Sequence, residues 1–396
     1  MRAGQPIARP YLDSLDRFVN AAAIRADLAA RHPVFAAGLP PNVVIVGAAA
    51  PEGARLIELC RKQDVRVLAV CDGDPGKHGT TFASHVVRPV ADALTWGPEA
   101  PIIIASHRPL TAVKELRALG ARAVAPFALL QVLFPQVFPP HMFYAGWVED
   151  LFGNSARYRA LADVLGGDEQ SSRTLEAIVG FRLTLDVTLL DGILDFDAFF
   201  SRDLVRFRHD GTFIDGGAFD GDSVRTYMAA ASGKVGRIIA FEPDPATFAR
   251  LKANFAQDSR VEPMNVGLHR RKAVMRFHNA GSRAALLSDA GGIDMPVIGI
   301  DEVLRGAPVS YIKLNIEGAE LSALEGARDS IARHRPTLAI SAYHAPDHLW
   351  RVPELIHSIE PRYRVHLRQQ DGGATETVVY ATAEEPRTHP IEQHDV

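Results

Sequence analysis

The stretch Thr212-Phe213-Ile214-Asp215-Gly216-Gly217-Ala218-Phe219-Asp220-Gly221-Asp222-Ser223 constrains this chain more than any other. It reads as a short buried strand that breaks into a glycine-rich turn and then opens a helix, which is how an α/β domain sets backbone N–H groups against a nucleoside ligand. Charge narrows the ligand. Asp215, Asp220 and Asp222 put three carboxylates where a dinucleotide site would hold a pyrophosphate, and Coulomb repulsion argues against a phosphate there. S-adenosylmethionine (SAM) has no phosphate and carries a sulfonium cation, so an acidic glycine turn suits it better than NAD or ATP.

With 396 residues, 47% of them hydrophobic, the chain can bury two ordinary cores, which makes two domains and a connector the natural division. A net charge of −4 gives no support for nucleic-acid binding. Cys60 and Cys71 are the only cysteines; they have no metal-ligand company, so no metal site is expected and reduced structural thiols are the reading. Met1 to Asp16 lacks the apolar core of a signal peptide, and no apolar run approaches the roughly 20 residues needed to span a bilayer. The expectation is a soluble cytoplasmic protein without membrane contact.

Residues 1–138 read as a smaller Rossmann-like α/β domain. Helical residues near 10 to 40 lead to an apolar strand Val43-Val44-Ile45-Val46, a small-residue turn from Gly47 to Gly53, a helix from Ala54 to Lys62 and a second strand, Val67 to Cys71, ending at Asp72. Further candidates are a strand at Ile102 to Ala105, a helix at Leu110 to Leu119 and a strand at Ala121 to Ala125, an alternation that specifies a parallel sheet. The turn spells G-x-x-x-x-x-G, a weak glycine signal. Asp72 stands where an acid can hold a ribose, and Asp72-Gly73-Asp74-Pro75-Gly76-Lys77-His78-Gly79 resembles the turn in Rossmann-like N-terminal domains of some sugar-modifying enzymes. The competing reading is a docking or dimerisation domain, through which the chain would form a homo-oligomer.

Residues 139–209 read as a helical connector rich in aromatics: His141-Met142-Phe143-Tyr144, Trp147, Phe152, and Phe199-Phe200 before Phe207. Such rings are usually core. Gly166-Gly167-Asp168 marks a break, with Ser171 or Ser172 as the expected N-cap of the next helix.

Residues 210–383 carry the clearer chemistry. After a helix over Ser223 to Ala231, the strand Arg237-Ile238-Ile239-Ala240-Phe241 ends at Glu242-Pro243-Asp244-Pro245. Glu242, at the carboxyl end of the strand after the glycine turn, is placed to accept both ribose hydroxyls; a plain helix-start carboxylate is the alternative. Asn265 closes the next strand. Val274 to Phe277 and Val297 to Ile300 are strands flanking a polar stretch, Asn279 to Arg283 and on to Gly291-Gly292, that either lines the pocket or is surface loop. In Tyr311-Ile312-Lys313-Leu314-Asn315-Ile316-Glu317-Gly318-Ala319-Glu320, the residues Asn315, Glu317 and Glu320 fall at or beyond a strand's carboxyl end, where open α/β sheets hold ligands. Glu317 and Glu320 also suit a helix N-terminus. A strand over Leu338 to Ala342 delivers Tyr343 and His344 to the same side, and a histidine there can serve as general base or simply cap the strand. A helix from Pro353 to Ile359 and strands near Tyr363 to Arg368 and Thr377 to Ala381 give an antiparallel C-terminal edge strand; residues 384–396 read as a tail.

The segments Phe213 to Asp222, Phe241-Glu242-Pro243-Asp244, Ile312 to Glu320 and Tyr343-His344 together resemble the FkbM family of SAM-dependent methyltransferases, over about residues 205 to 383. Gly180-Phe181-Arg182-Leu183-Thr184 in the connector resembles the lead-in of longer members. The resemblance implies a class I (Rossmann-like) methyltransferase sheet and methyl transfer from SAM to a hydroxyl of a small-molecule, saccharide or natural-product acceptor. Carried over by position, Asp215, Gly217, Ala218 and Gly221 would form the SAM loop, Glu242 the ribose clamp and Asn265 a further cofactor contact. Asn315, Glu320 and Tyr343 are acceptor-side candidates, and His344 or Glu317 the proton acceptor. Asn315 departs from the family's strand-end Ile-Lys-x-Asp-x-Glu-Gly pattern, keeping a hydrogen-bonding amide and losing the charge. A non-catalytic SAM-fold scaffold and a nucleotide-dependent oxidoreductase or nucleotide-sugar-binding protein using the N-terminal domain are the alternative functions.

Overall fold

Two sets of continuous apolar runs build two parallel sheets, because a strand covered on both faces has no polar side to alternate with. The computed structural model describes residues 8–47, 51–140, 144–208, 211–233, 235–278, 286–287, 293–373 and 375–383. The chain divides into two units: Met1–Asp195 with Tyr343–Asp347 and Leu367–Thr377, and Phe196–Ala342 with His348–His366 and Val378–Val396.

In the first unit, Asn42–Val46 is the central strand. It pairs in parallel with Arg66–Asp72 on one side and Ile102–Ile104 on the other. His85–Pro89 and Val124–Pro126 extend the sheet in parallel, and Thr81–Phe82 closes one edge antiparallel. This is the expected Rossmann-like alternation, with boundaries shifted by one to three residues and with two strands, Thr81–Phe82 and His85–Pro89, beyond those expected. The helix after Asn42–Val46 runs Pro51–Lys62, three residues longer than read, because proline fits the opening turn of a helix. The last strand lies at Val124–Pro126. The helices Trp147–Gly153, Ser155–Val164 and Glu169–Thr184 follow. The cap of the third is Asp168, not Ser171 or Ser172: its carboxylate accepts the Gln170 N–H at 3.1 Å and the Ser171 hydroxyl at 2.5 Å. Ser171 and Ser172 lie inside the helix and are buried.

The second unit holds strands β1 (Thr212–Gly216), β2 (Ile238–Phe241), β3 (Val261–Met264), β4 (Val309–Leu314) and β5 (Thr337–Ser341). Strands β6 (Arg364–Gln369) and β7 (Thr377–Thr382) complete a seven-stranded sheet in the order β6-β7-β5-β4-β1-β2-β3. β7 runs antiparallel to β5, whereas β5, β4, β1, β2 and β3 are mutually parallel. Pro263 is tolerated in β3 because that strand is the edge. Behind the sheet, Phe213 of β1 stacks on Tyr227 with centroids 4.1 Å apart, and Phe200 and Tyr311 join the same aromatic core.

A separate small sheet pairs Gly267–Leu268, Ile293–Ile298, Ala273–His278 and Leu286–Leu287. The expected strand over Val297 to Ile300 is therefore displaced; Ile300 opens the helix Ile300–Leu304, whose Glu302 carboxylate accepts the Gly299 N–H at 2.9 Å. The stretch Asn279 to Arg283 with Gly291-Gly292, the segment His141 to Phe143 and the tail lie outside the described residues. The helix expected from Pro353 runs His348–Ile359 with Pro353 inside it. Leu349, Val352 and Ile356 recur at helical spacing and are fully buried, and that burial outweighs the hydrogen bond Pro353 cannot donate. Among the described residues, no helix is long and apolar enough to cross a membrane.

Candidate functional site

A cavity of about 640 Å³ opens at the carboxyl ends of β1, β2 and β4, with Phe199, Gly217, Glu242, Lys313, Asn315 and Glu317 among its walls. This is where an open α/β sheet, with no backbone crossing above the strand ends, leaves room for a ligand.

Gly217 shows why the turn after β1 needs glycine. Its φ is +74°, and a Cβ would overlap the Asn315 carbonyl oxygen beyond β4. Gly221 (φ +91°) sits at the N-cap of the helix Asp222–Ala230, where a Cβ would overlap the Phe255 ring. The turn's N–H groups are spent internally. Those of Gly217 and Ala218 donate to the Phe241 carbonyl at 3.1 and 3.0 Å, and that of Phe219 donates to Glu242 Oε2 at 3.0 Å. The turn thus shapes the cavity by close approach and by fixing Glu242, in place of the expected row of amides facing a ligand.

Glu242 lines the cavity yet is 8% exposed. Its second oxygen, Oε1, accepts the Asp244 N–H at 2.9 Å. Burial pushes its carboxyl up to about 7, against the pull of these two N–H groups and of Lys313.

Of the three carboxylates in the glycine turn, only Asp222 lines the cavity. Asp215 is fully buried; Lys313 Nζ reaches its Oδ1 at 2.9 Å and the Ser223 hydroxyl its Oδ2 at 2.5 Å. Asp220 pairs with Arg225 at 2.9 Å. The acidity facing the cavity comes instead from Asp222, Glu242, Asp244 and Glu317.

The remaining candidates separate clearly. Asn315 and Glu317 line the cavity, the latter with a left-handed backbone at φ +54°. Ala218 and Asn265 do not line it. Asn265 Nδ2 donates to the Glu242 and Pro243 carbonyls, each at 2.9 Å, and so ties the end of β2 to the end of β3. Glu320 is fully buried, accepts the Ile316 N–H at 2.8 Å and lies 3.5 Å from His348 Nδ1. It fixes the turn before its own helix and is not among the lining residues. Tyr343 and His344 are buried, have ring centroids 4.2 Å apart, group with the first unit and are not among the lining residues either.

Sequence reasoning passed over Lys313, Phe199 and Arg250. The signal for Lys313 was present: a lone cation in an apolar strand must meet an anion when buried, and Asp215 is the one acid in the neighbouring strand. The register pairs them directly. Phe199, before β1, reads only as another core ring. Arg250 lines the cavity, its guanidinium 5.2 Å from the Phe219 centroid and 3.2 Å from Thr247 Oγ1.

The strand order with its antiparallel β7, the glycine turn after β1 and the acid at the end of β2 define a class I, Rossmann-like methyltransferase domain. Residues 215–369 match the family described as the methyltransferase FkbM domain. Over that stretch the chain is similar to the FkbM methyltransferases. The crystal structure of methyltransferase FkbM from Methylobacillus flagellatus KT is 23% identical, covers 94% of this chain and 98% of its own, and superposes with a TM-score of 0.72. That likeness shows a shared fold across both units. Fibrillarin from Aeropyrum pernix, solved with natively bound S-adenosyl-L-methionine, is 13% identical, covers 50% of this chain and 74% of its own, and has a TM-score of 0.29, too low to bear on this chain. A search of curated proteins gave no match.

Proposed function

We propose that this methyltransferase binds SAM in the cavity and moves its methyl group to an oxygen, a hydroxyl of a saccharide or natural-product acceptor. Glu242 is the observation that carries the reading. Its two oxygens are each held by one backbone N–H, which leaves lone pairs of a carboxylate turned to the cavity for the two vicinal hydroxyls of a ribose.

The residues fit such a cofactor. The cavity volume of about 640 Å³ accommodates a nucleoside with an acceptor beside it. Gly217, where a Cβ would overlap the Asn315 carbonyl oxygen, leaves its part of the wall as bare backbone, and Asp222 and Glu317 supply anionic walls for a sulfonium. When bound, SAM supplies an electrophilic methyl group for in-line displacement. Glu242 holds the ribose, while Phe199, Phe200 and Phe241 exclude water from that side. Glu317, which lines the cavity, takes the proton from the acceptor hydroxyl as it attacks. Holding donor and acceptor in line supplies much of the rate.

The test is incubation with SAM labelled at the methyl carbon and fractionated carbohydrate and metabolite extracts, followed by NMR of the labelled product. Label on an oxygen-bound carbon is expected. Label on nitrogen or carbon would overturn the oxygen assignment, and absence of SAM binding would overturn the cofactor assignment.

A further inference from the structure

Lys313 is 2% exposed near the carboxyl end of the buried strand β4, in the wall of the cavity, with its ammonium committed to the protein. Its ammonium reaches Asp215 Oδ1 at 2.9 Å, the Gly217 carbonyl at 2.8 Å and the Gly216 carbonyl at 3.2 Å. Three N–H donors meet three acceptors, which exhausts the group's capacity. The Phe199 ring centroid lies 5.2 Å from the same nitrogen, within reach of a cation–π attraction. Asp215 carries the network on through its other oxygen to Ser223, in the first turn of the helix Asp222–Ala230.

We propose that Lys313 is a positioning residue for the cofactor, a reading that rests on SAM being the ligand of this cavity. One ammonium ties together the cavity wall at Phe199, both carbonyls of the glycine turn, the buried Asp215 and, through it, the helix that follows. A lysine present only to neutralise Asp215 would need one of these contacts. The two carbonyl contacts set the plane of the peptides on either side of Gly217, whose backbone lines the cavity and lies against Asn315. With every donor spent, Lys313 neither donates a proton to the acceptor nor takes one from it. Its effect therefore falls on binding of the cofactor.

The test measures affinity for S-adenosylhomocysteine by titration calorimetry, and stability by urea denaturation, in the wild type, Lys313→Met and Asp215→Asn/Lys313→Met. Lys313→Met should lose both, because it strands a buried carboxylate and releases the turn. In the double variant no charge is stranded, so stability should return towards wild type while affinity stays about tenfold or more weaker, the effect of losing a charge-assisted network. Wild-type affinity in either variant would overturn the proposal, since the lysine would then act only as a counter-ion. If Lys313→Met does not fold, the double variant decides alone. Failure of the wild type itself to bind would instead bring down the SAM reading, and this proposal with it.

Discussion

Burial of Glu242 pulls stability and ligand binding in opposite directions. Its carboxyl is moved from the usual 4.5 up to about 7, so between those values the folded chain keeps a proton that the unfolded chain has released. Stability from this group therefore falls as pH rises through the window. In the proposed role ribose hydroxyls would donate to the ionised carboxylate, so affinity for S-adenosylhomocysteine should rise over the upper part of the same range. Asp244 and Lys313 are the charged groups that act on it, in opposite senses. Glu242→Gln should flatten the stability profile of the unliganded protein between pH 4.5 and 7, read by scanning calorimetry, and weaken binding chiefly above that range, where the wild-type group is ionised. Profiles that fall equally in the two proteins would show that other groups set the dependence. Glu317 calls for a different measurement. If it takes the acceptor proton, Glu317→Gln should lower kcat by about 100-fold to 10,000-fold with little change in cofactor affinity; an unchanged kcat would remove it from that role. At this scale the sequence showed Glu242 and Glu317 by their place at strand ends. It did not show that Asp215 and Glu320 are spent on Lys313, Ser223, Ile316 and His348, because a carboxylate's partner depends on which strands and helices come to lie together.

The glycine turn is the element on which the site depends, and two glycines separate its costs. Gly217 and Gly233 have nearly the same left-handed backbone, φ +74° and +72°, but a Cβ on Gly233 meets nothing within 4 Å whereas one on Gly217 overlaps the Asn315 carbonyl. Gly233→Ala should cost about 1 kcal/mol for the backbone conformation alone. Gly217→Ala adds an overlap with backbone that cannot rotate away, and should cost a few kcal/mol more in urea denaturation and abolish cofactor binding. Equal costs would mean that β4 moves aside freely. The same contrast explains what was legible among the elements. Unbroken apolar runs such as Val43 to Val46 and Ile238 to Phe241 can only be buried strands, and they appear where read. Helix starts were read less well, since a cap depends on which of several nearby polar side chains turns back: Asp168 did so, and Ser171 became a partner of that same carboxylate. The start at His348 was hidden because Pro353 is a strong local stop signal and only tertiary burial of Leu349 and Val352 overrides it.

For the whole molecule, the question is which of the two Rossmann-like sheets holds a nucleoside. Every residue lining the cavity belongs to the second unit. In the first unit, Asp72 stands at the strand end where a ribose acid would be, but its carboxylate is occupied by its own turn: Oδ1 accepts the Asp74 N–H at 2.9 Å, and Lys77 Nζ lies 3.3 Å from both oxygens. Both acids accept backbone N–H groups, but a ribose at Asp72 would also have to displace the Lys77 ammonium, and no ion pair of that kind holds Glu242 among the described residues. A thermal-shift panel of SAM, S-adenosylhomocysteine, NAD, NADP and nucleotide sugars should therefore show stabilisation by the first two alone, about 2.7 kcal/mol at a hundredfold excess over Kd. Hydrogen exchange should place the added protection at Gly217 to Phe219, Glu242 to Thr247 and Lys313 to Glu317, and leave the strands Asn42–Val46 and Arg66–Asp72 unchanged. A shift with NAD or a nucleotide sugar, with protection around Asp72, would show that the Lys77 contact yields to a ligand and that the first unit binds a nucleotide of its own.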